Sequence, residues 1–477
     1  MKLEGEKEKP MEKKNLVIIG GGPGGYLAAL RASQLGLNVT VVEENRLGGI
    51  CINVGCIPTK YLTHQSSVFH QLKTNRNLEG PLAELRLNWA KVQQGKQAVV
   101  ERLVKGLEFL LSRNKIQVLK GRGKLTAPGE ILVKTETEEK LIKADKIILA
   151  TGSRPADFPF LRFDGKKVLS STEALSLPEP PKSMLVVGAG AIGLELGSVY
   201  QRIGTEVTVL EIMPSILPGT DLAIVQRLER ILKKQGLKIF TQMKIEASEI
   251  NENQVKLKGI SQVDGKPFEF AAEKVLIAAG RKPNVEGLLW DEGLLRLQKG
   301  NFVEVDSHCQ TSIPDVYAIG DLIGGKLLAH KAYHDGIVAA ENAAGHEAEV
   351  NYSAVPAAIF TEPELATVGL SREEAQSRSI EIKVGEFPLQ ANGRALTLES
   401  YEGMVQVIAD KKTDEVLGAH LLEPHASEMI PVLTMAVARR LKLKDLDSII
   451  YIHPTISESI PEAALKADGL ALHILNQ

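Results

Sequence analysis

LVIIGGGPGGYLAALRASQLGLNVTVVE, residues 16–43, decides the architecture of this chain. Leu16–Ile19 is a short continuous apolar run, the pattern of a buried strand. Gly20, Gly22 and Gly25 then spell G-x-G-x-x-G, and a helical stretch runs from Tyr26 to Leu35. A second strand, Asn38–Val42, ends in Glu43, 23 positions after Gly20. Each piece has a mechanical task. Gly20 makes the tight turn, Gly22 lets the backbone approach a pyrophosphate, and Gly25 lets helix and strand pack closely. The helix N-terminus faces the phosphates, and Glu43 can accept from a ribose hydroxyl. The strand–turn–helix–strand context lifts the motif above a chance glycine pattern.

The unit recurs. Met184–Val187 leads into Gly188, Gly190, Ile192 and Gly193, a helix runs to about Arg202, and the strand Glu206–Leu210 ends in Glu211. The separation from Gly188 to Glu211 is again 23 positions. Two copies imply two dinucleotides, one per domain. A carboxylate at Glu211 accepts from the ribose 2′-hydroxyl of NAD and repels the 2′-phosphate of NADP. No basic side chain follows within Ile212–Asp221, so NAD is expected.

Around these units the chain divides into a charged tail at 1–14, a first nucleotide domain at 15–154, a second at 155–281, a return at 282–350 and a third unit at 351–477. Lys146–Leu149 before Thr151-Gly152 and Val275–Ile277 before Gly280 are paired exit strands. Ala318–Asp321 places an acid at a sheet's carboxyl end, and Gly403–Ile408 with Val416–Leu421 reads as a hairpin. Val99–Leu111 reads as an amphipathic core helix.

With 477 residues, several domains are required. Lys+Arg (57) nearly balance Asp+Glu (59), so neither nucleic acid nor anionic membrane is expected as a partner. No apolar run reaches membrane-spanning length, and residues 1–14 have neither a signal-peptide core nor the composition of a transit peptide. A cytoplasmic protein is expected, and three cysteines fit a reducing compartment. No metal site is expected.

Two of those cysteines lie in GGICINVGCIPTK, residues 48–60. In an ideal helix, Cys51 and Cys56 would have Cα atoms about 8.7 Å apart, whereas a disulfide needs roughly 4.4–6.8 Å. A bridge would require the backbone to leave helix geometry, which Asn53 and Gly55 allow. Spacing alone leaves two readings open: a reducible, chemically active bridge, or two unrelated buried thiols.

GGGPGGY, GGICINVGCIPTK, ATGSRP, GAGAIGLELG, AAGRKPN, VYAIGD, LAHKA and HPTISE resemble, over nearly the full length, the FAD-dependent pyridine nucleotide–disulfide oxidoreductases. EIMPSILPGTD, FPLQANGRALT and DEVLGAHLLEPHASEMI are similar to the branch that oxidises dihydrolipoamide with NAD. The resemblance implies an α/β enzyme with two Rossmann-like domains, for FAD and NAD, and a C-terminal α+β dimerisation domain. It assigns Gly20, Gly22, Gly25 and Glu43 to FAD, Gly123 to the adenine end, Lys60 to the flavin N5, and Asp321 and Ala329 to the ribityl and isoalloxazine region. Gly188, Gly190, Ile192, Gly193, Glu211 and Gly280 go to NAD. Glu195 should pair with Lys60.

By the same resemblance Cys51 exchanges with substrate and Cys56 faces the flavin. His453, held by Glu458, is the base that reaches across a two-fold axis into the partner's site, making the enzyme a homodimer. Lipoyl-bearing proteins and the peripheral-subunit-binding domain of an acyltransferase are the implied partners. Cys309 matches no motif and reads as structural. Two places depart from the pattern: Ile50 stands where threonine is common, and Tyr451 stands where a second histidine is common. Glu211 disfavours the glutathione-linked branch, the C-terminus lacks the cysteine pair of the mercuric branch, and Cys51–Cys56 disfavours a transhydrogenase. A catalytically silent docking subunit is disfavoured by the intact Cys51, Cys56, Lys60, His453 and Glu458.

Overall fold

The computed structural model describes residues 14–289 and 291–476, so the tail read at the N-terminus lies outside it except for Lys14. The chain forms two compact units. One takes residues up to Asn53, Val99–Arg154 and Arg281–Val350; the other takes Val54–Ala98, Pro155–Gly280 and Asn351 onward.

In the first unit five parallel strands form a sheet in the order Val316–Ala318, Lys146–Leu149, Asn15–Ile19, Asn38–Glu43, Gln117–Lys120. The second unit repeats it as Val168–Leu169, Lys274–Ile277, Ser183–Val187, Glu206–Leu210, Lys238–Phe240. Even the register repeats: Asn15 pairs with Asn38, and Ser183 with Glu206.

Both faces of each sheet are covered, which is why its strands read as unbroken apolar runs. Leu16 and Ile18 pack against Ala28, Ala29 and Ala32 of the helix Pro23–Gln34 and Val338 and Ala339 of the helix Ala329–Ala344. Val17 and Ile19 point the other way, onto Leu125, Ile131 and Val133. Those three belong to a small antiparallel sheet, Arg122–Ala127, Glu130–Lys134 and Glu139–Lys143. The second unit has the same layers: Met184 and Val186 meet Leu194 and Val199 of the helix Ala191–Arg202. Leu185 and Val187 meet Val255 and Leu257 of the antiparallel sheet Met243–Ile250, Val255–Ser261, Pro267–Ala272.

The expected core helix is longer than its apolar pattern, Trp89–Arg113. Val100, Leu107 and Leu111 are buried, but Val99, Leu103 and Leu110, read from the sequence as part of the same core face, are exposed. The apolar set therefore spans two faces of the helix, and only one is covered.

From Asn351 the chain builds an antiparallel sheet in the order Ala357–Ile359, Glu364–Gly369, Val416–Glu423, Met404–Asp410, Ile382–Pro388. The expected hairpin is present in it as Met404–Asp410 paired with Val416–Glu423. Helices Ala426–Ala438 and Ser459–Ala467 contribute Leu433, Ala436, Ile460 and Ala463 to the core. This is the α+β domain. Among the described residues no helix is long and apolar enough to cross a membrane.

One strand pair carries a cost. Glu364 and Glu423 are register partners, and Glu423 is fully buried. Burial, reinforced by the neighbouring Glu364 charge and only partly offset by the His425 N–H, pushes the Glu423 carboxyl up to about 7. A raised carboxyl binds its proton more tightly in the fold than in the unfolded chain, so stability falls as pH rises from about 4.5 to 7. The shift corresponds to on the order of 3 kcal/mol. Glu423→Gln should therefore gain melting temperature at pH 8 relative to the parent and little at pH 5. Equal differences at both pH values would rule out this origin.

Candidate functional site

The two glycine fingerprints do the same three things. Gly20 and Gly188 sit at φ +109° and +102°, and a Cβ there would lie 2.3 Å from the Ala150 carbonyl oxygen and 2.7 Å from that of Ala278. A Cβ on Gly25 would lie 1.9 Å from the Gly20 carbonyl oxygen, and one on Gly193 2.1 Å from that of Gly188. Helix and turn thus touch backbone to backbone. At the second glycine the picture inverts. Gly22 meets nothing nearer than the Gly49 Cα at 3.8 Å, and Gly190 meets nothing within 4 Å.

Beside that open backbone begin the helices Pro23–Gln34 and Ala191–Arg202, neither with a side-chain cap. Uncapped first-turn amides at the positive end of a helix dipole suit a pyrophosphate. The residues present fit two dinucleotides.

Glu43 and Glu211 show a feature the motif does not announce. Glu43 accepts from the Gly21 N–H at 2.7 Å and the Asn45 N–H at 2.7 Å. Glu211 accepts from Ala189 at 2.6 Å and Met213 at 2.8 Å. Each carboxylate is aimed by two backbone donors, leaving its remaining lone pairs for a ribose. A methyl group at Gly193 would force the helix off the Gly188 carbonyl, and overpacking of this kind costs about 1–3 kcal/mol. Gly193→Ala should raise the KM for NAD by about five- to a hundredfold while FAD content stays unchanged; an unaltered KM would contradict the close approach.

The remaining nucleotide-side residues fall as follows. Gly123 lies on the strand Arg122–Ala127, where a Cβ would stand 3.1 Å from Ile19. Asp321 is on a short 3₁₀ turn and accepts from Ser153 Oγ at 2.5 Å, and Ser153 in turn receives Arg281 Nε at 2.7 Å. Asp335, fully buried, fixes that turn by accepting from the Gly320 N–H at 3.0 Å. Ala329 opens the helix Ala329–Ala344, again without a side-chain cap. Gly280 has φ +128° and Ile192 is half-buried in the first turn of its helix.

The cysteine segment is two helices, Gly49–Val54 and Cys56–Thr74. Gly55, at φ −144° and ψ −110°, makes the break. Asn53, the other residue expected to bend, stays helical, its amide donating to the Leu47 and Gly49 carbonyls at 2.9 Å each. Cys51 is half-buried within the first helix, and Cys56 is exposed at the start of the second. Cys309 is buried, and burial pushes its thiol far above the ordinary range.

On the helix Cys56–Thr74, Lys60 donates to Glu195 Oε2 at 2.8 Å and stands 4.2 Å over the Phe360 ring. The other Glu195 oxygen accepts from the Phe360 N–H at 3.0 Å. Glu195 is buried, so its pairing with Lys60 is internal and not a surface accident. Phe360, which no motif singled out, holds both partners.

His453 and Glu458 form a second, separate pair. His453 Nδ1 lies 2.9 Å from Glu458 Oε1, and the Thr455 N–H donates to Oε2 at 2.7 Å. Desolvation works to raise the Glu458 carboxyl, but the Thr455 N–H and His453 together hold it below its ordinary value. Its interactions are then present above the usual carboxylate range and lost only as pH falls through the lowered value. Held this way, Nδ1 carries the proton and Nε2 keeps a lone pair, on a side chain that is mostly exposed. Tyr451 cannot substitute for a second histidine: its hydroxyl donates to the Leu446 carbonyl at 3.3 Å, and burial pushes it up to about 12.

Two nucleotide layers, a Cys-x₄-Cys helix break and a terminal α+β domain define a flavin- and pyridine-nucleotide-linked disulfide oxidoreductase. The chain belongs to the pyridine nucleotide-disulphide oxidoreductase family, which matches residues 14–336, with the family's dimerisation domain at 355–464. It is 42% identical over 471 residues to dihydrolipoyl dehydrogenase of Thermus scotoductus, covering 98% of this chain and 100% of that one. It is 40% identical over 466 residues to the mitochondrial dihydrolipoyl dehydrogenase of Pisum sativum, covering 97% and 93%. Among solved structures it is similar to LpdA from Mycobacterium tuberculosis, with a TM-score of 0.86 at 27% identity over 94% of this chain and 99% of that one.

Proposed function

We propose that this chain is an FAD-dependent, NAD-linked dihydrolipoyl dehydrogenase that oxidises dihydrolipoamide to lipoamide. The full-length likeness to dihydrolipoyl dehydrogenases supports this reading, and the observation that carries it is the His453–Glu458 pair on an exposed imidazole. Oxidising a dithiol requires a base matched to a thiol near neutral pH, which an oriented imidazole supplies.

His453 takes a proton from the substrate dithiol, and the resulting thiolate attacks a Cys51–Cys56 disulfide at Cys51. The second substrate thiol displaces Cys51, leaving two cysteine thiolates. The positive end of the helix Cys56–Thr74 favours negative charge on Cys56. Lys60, fixed by Glu195 and Phe360, would hold a positive charge toward a bound flavin. The two cofactors supply what these side chains cannot, passage of an electron pair from the dithiol to a hydride acceptor. Glu43 and Glu211 orient the riboses, and Gly22 and Gly190 admit the pyrophosphates.

On this reading 15–154 and 282–350 bind FAD, 155–281 binds NAD, and 351–477 is the interface of a homodimer in which His453 serves the partner's cysteines. The exposed Ile450 and Ile452 beside His453 are apolar surface that such an interface would cover. Lipoyl-bearing proteins and a peripheral-subunit-binding domain are the partners, in the cytoplasm, as E3 of a 2-oxoacid dehydrogenase or glycine cleavage system.

Steady-state turnover of dihydrolipoamide with NAD by the FAD-loaded protein, beside glutathione disulfide and mercuric ion with reduced nicotinamide, tests the assignment. Preference for the lipoamide couple is expected. Turnover of either rival with no lipoamide activity would overturn it.

A further inference from the structure

The helix that follows Glu458 carries a second acid one turn on, Glu462, and it too holds an imidazole. His473 Nδ1 lies 2.7 Å from Glu462 Oε1, and Glu462 Oε2 accepts from the Leu472 and His473 N–H groups at 3.1 Å each. This repeats the His453–Glu458 arrangement: one carboxylate oxygen on Nδ1 and the other on backbone N–H groups. Glu462 is nearly buried while the His473 side chain is 71% exposed, close to the 81% of His453. Residues four apart share a helix face, and the His473 charge reaches Glu458 itself. The Ala471–Asn476 segment is tied in place by the Asn476–Ala471 bonds and by Lys466 on the Leu475 carbonyl.

We propose that His473, oriented by Glu462, is a second proton acceptor at the dithiol site. Tyr451 takes no part, its hydroxyl being spent on the Leu446 carbonyl. The proposal rests on His453 being the base of the reaction.

The chemistry calls for two acceptors. A dithiol and the Cys51–Cys56 disulfide become a cyclic disulfide and two cysteine thiolates. One S–S bond breaks, one forms, two electrons pass to the cysteines, and two protons are left over. His453 holds the first when substrate thiolate attacks Cys51. It is then already protonated when the second substrate thiol must ionise to displace Cys51. His473 takes that second proton, directly or by relieving His453, and releases it to solvent.

The other charged groups on the elements packed against this helix have partners or lie on a separate short helix. Lys383 bonds Asp414 and Asp468, Glu386 pairs with Arg372, and Asp410 accepts from the Lys412 and Thr413 N–H groups. Lys444, Asp445 and Asp447 lie on the helix Leu443–Asp447, where Asp445 accepts from the Lys442 N–H.

His473→Gln and Glu462→Gln in the full-length FAD-loaded protein test this, with FAD content and dimer mass as folding controls. Both should lower kcat for dihydrolipoamide about three- to thirtyfold, less than a primary base contributes. Both should also move the acid limb of the kcat profile and enlarge the solvent deuterium isotope effect. Added imidazole should restore part of the rate to His473→Ala. Unchanged pH profile and isotope effect in both variants would overturn the proposal. A His453→Gln variant that keeps full activity would instead overturn the reading beneath it, so the two failures are distinguishable.

Discussion

Cys51→Ser and Cys56→Ser should each lower NAD-linked dihydrolipoamide oxidation by about 10⁴-fold or more, as loss of an attacking or attacked sulfur generally does. A single thiol can neither present a disulfide to substrate nor accept an electron pair as two thiolates. The two variants should still differ. Gly55 separates a half-buried sulfur inside one short helix from an exposed sulfur at the start of a nineteen-residue helix. Only the second enjoys the positive end of a long helix dipole. Anaerobic titration of the FAD-loaded protein with NADH should therefore give long-wavelength absorbance in the parent; Cys51→Ser, whose Cys56 cannot be bridged, should show it before any NADH is added, and Cys56→Ser should lack it throughout. Persistence of the band in Cys56→Ser would reverse the assignment of the two sulfurs.

His453→Gln should lower kcat/KM for dihydrolipoamide by about 10² to 10⁴-fold, the usual contribution of a positioned general base. Glutamine keeps a donor for Glu458 Oε1 but offers no titrating lone pair, so FAD content and thermal stability should stay near those of the parent. Because Glu458 is held ionised by Thr455 and His453, the orientation of the imidazole persists across the neutral range. Glu458→Gln should therefore cost less than His453→Gln, and at every pH above about 5. A His453→Gln protein with parental kcat/KM would remove this residue from the chemistry.

Much of the fold could be read from residues 16–43 and 184–211, because strand, turn and helix leave local signatures. The three glycines have three separate steric reasons, and the acid sits at the end of the next strand. The second layer on each sheet was not readable: Val17 and Ile19 look like any buried pair, and only the structure shows Leu125, Ile131 and Val133 across from them. Val99, Leu103 and Leu110 misled for the same reason, since periodicity marks apolar residues but not whether anything covers them.

Among the site residues, Lys60 and Glu195 lie 135 positions apart and were joined only by resemblance. Phe360 was invisible because it contributes a ring face and a backbone N–H, neither of which its identity announces. His473 was missed because it follows no motif. Its one signal was Glu462, a turn beyond Glu458.

The bonds that Ala189 and Met213 make to Glu211 bear on any attempt to re-engineer the chain for a phosphorylated nicotinamide. Exchanging Glu211 for a neutral or basic residue would remove a repulsive charge, but would also strip the buried Ala189 amide and the partly buried Met213 amide of their acceptor. Orphaning the buried Ala189 amide alone carries a penalty of about 1–3 kcal/mol. The acid is a keystone of the loop as well as a discriminator between ligands. A specificity swap in this scaffold should therefore succeed only when a second substitution supplies those amides with a new oxygen.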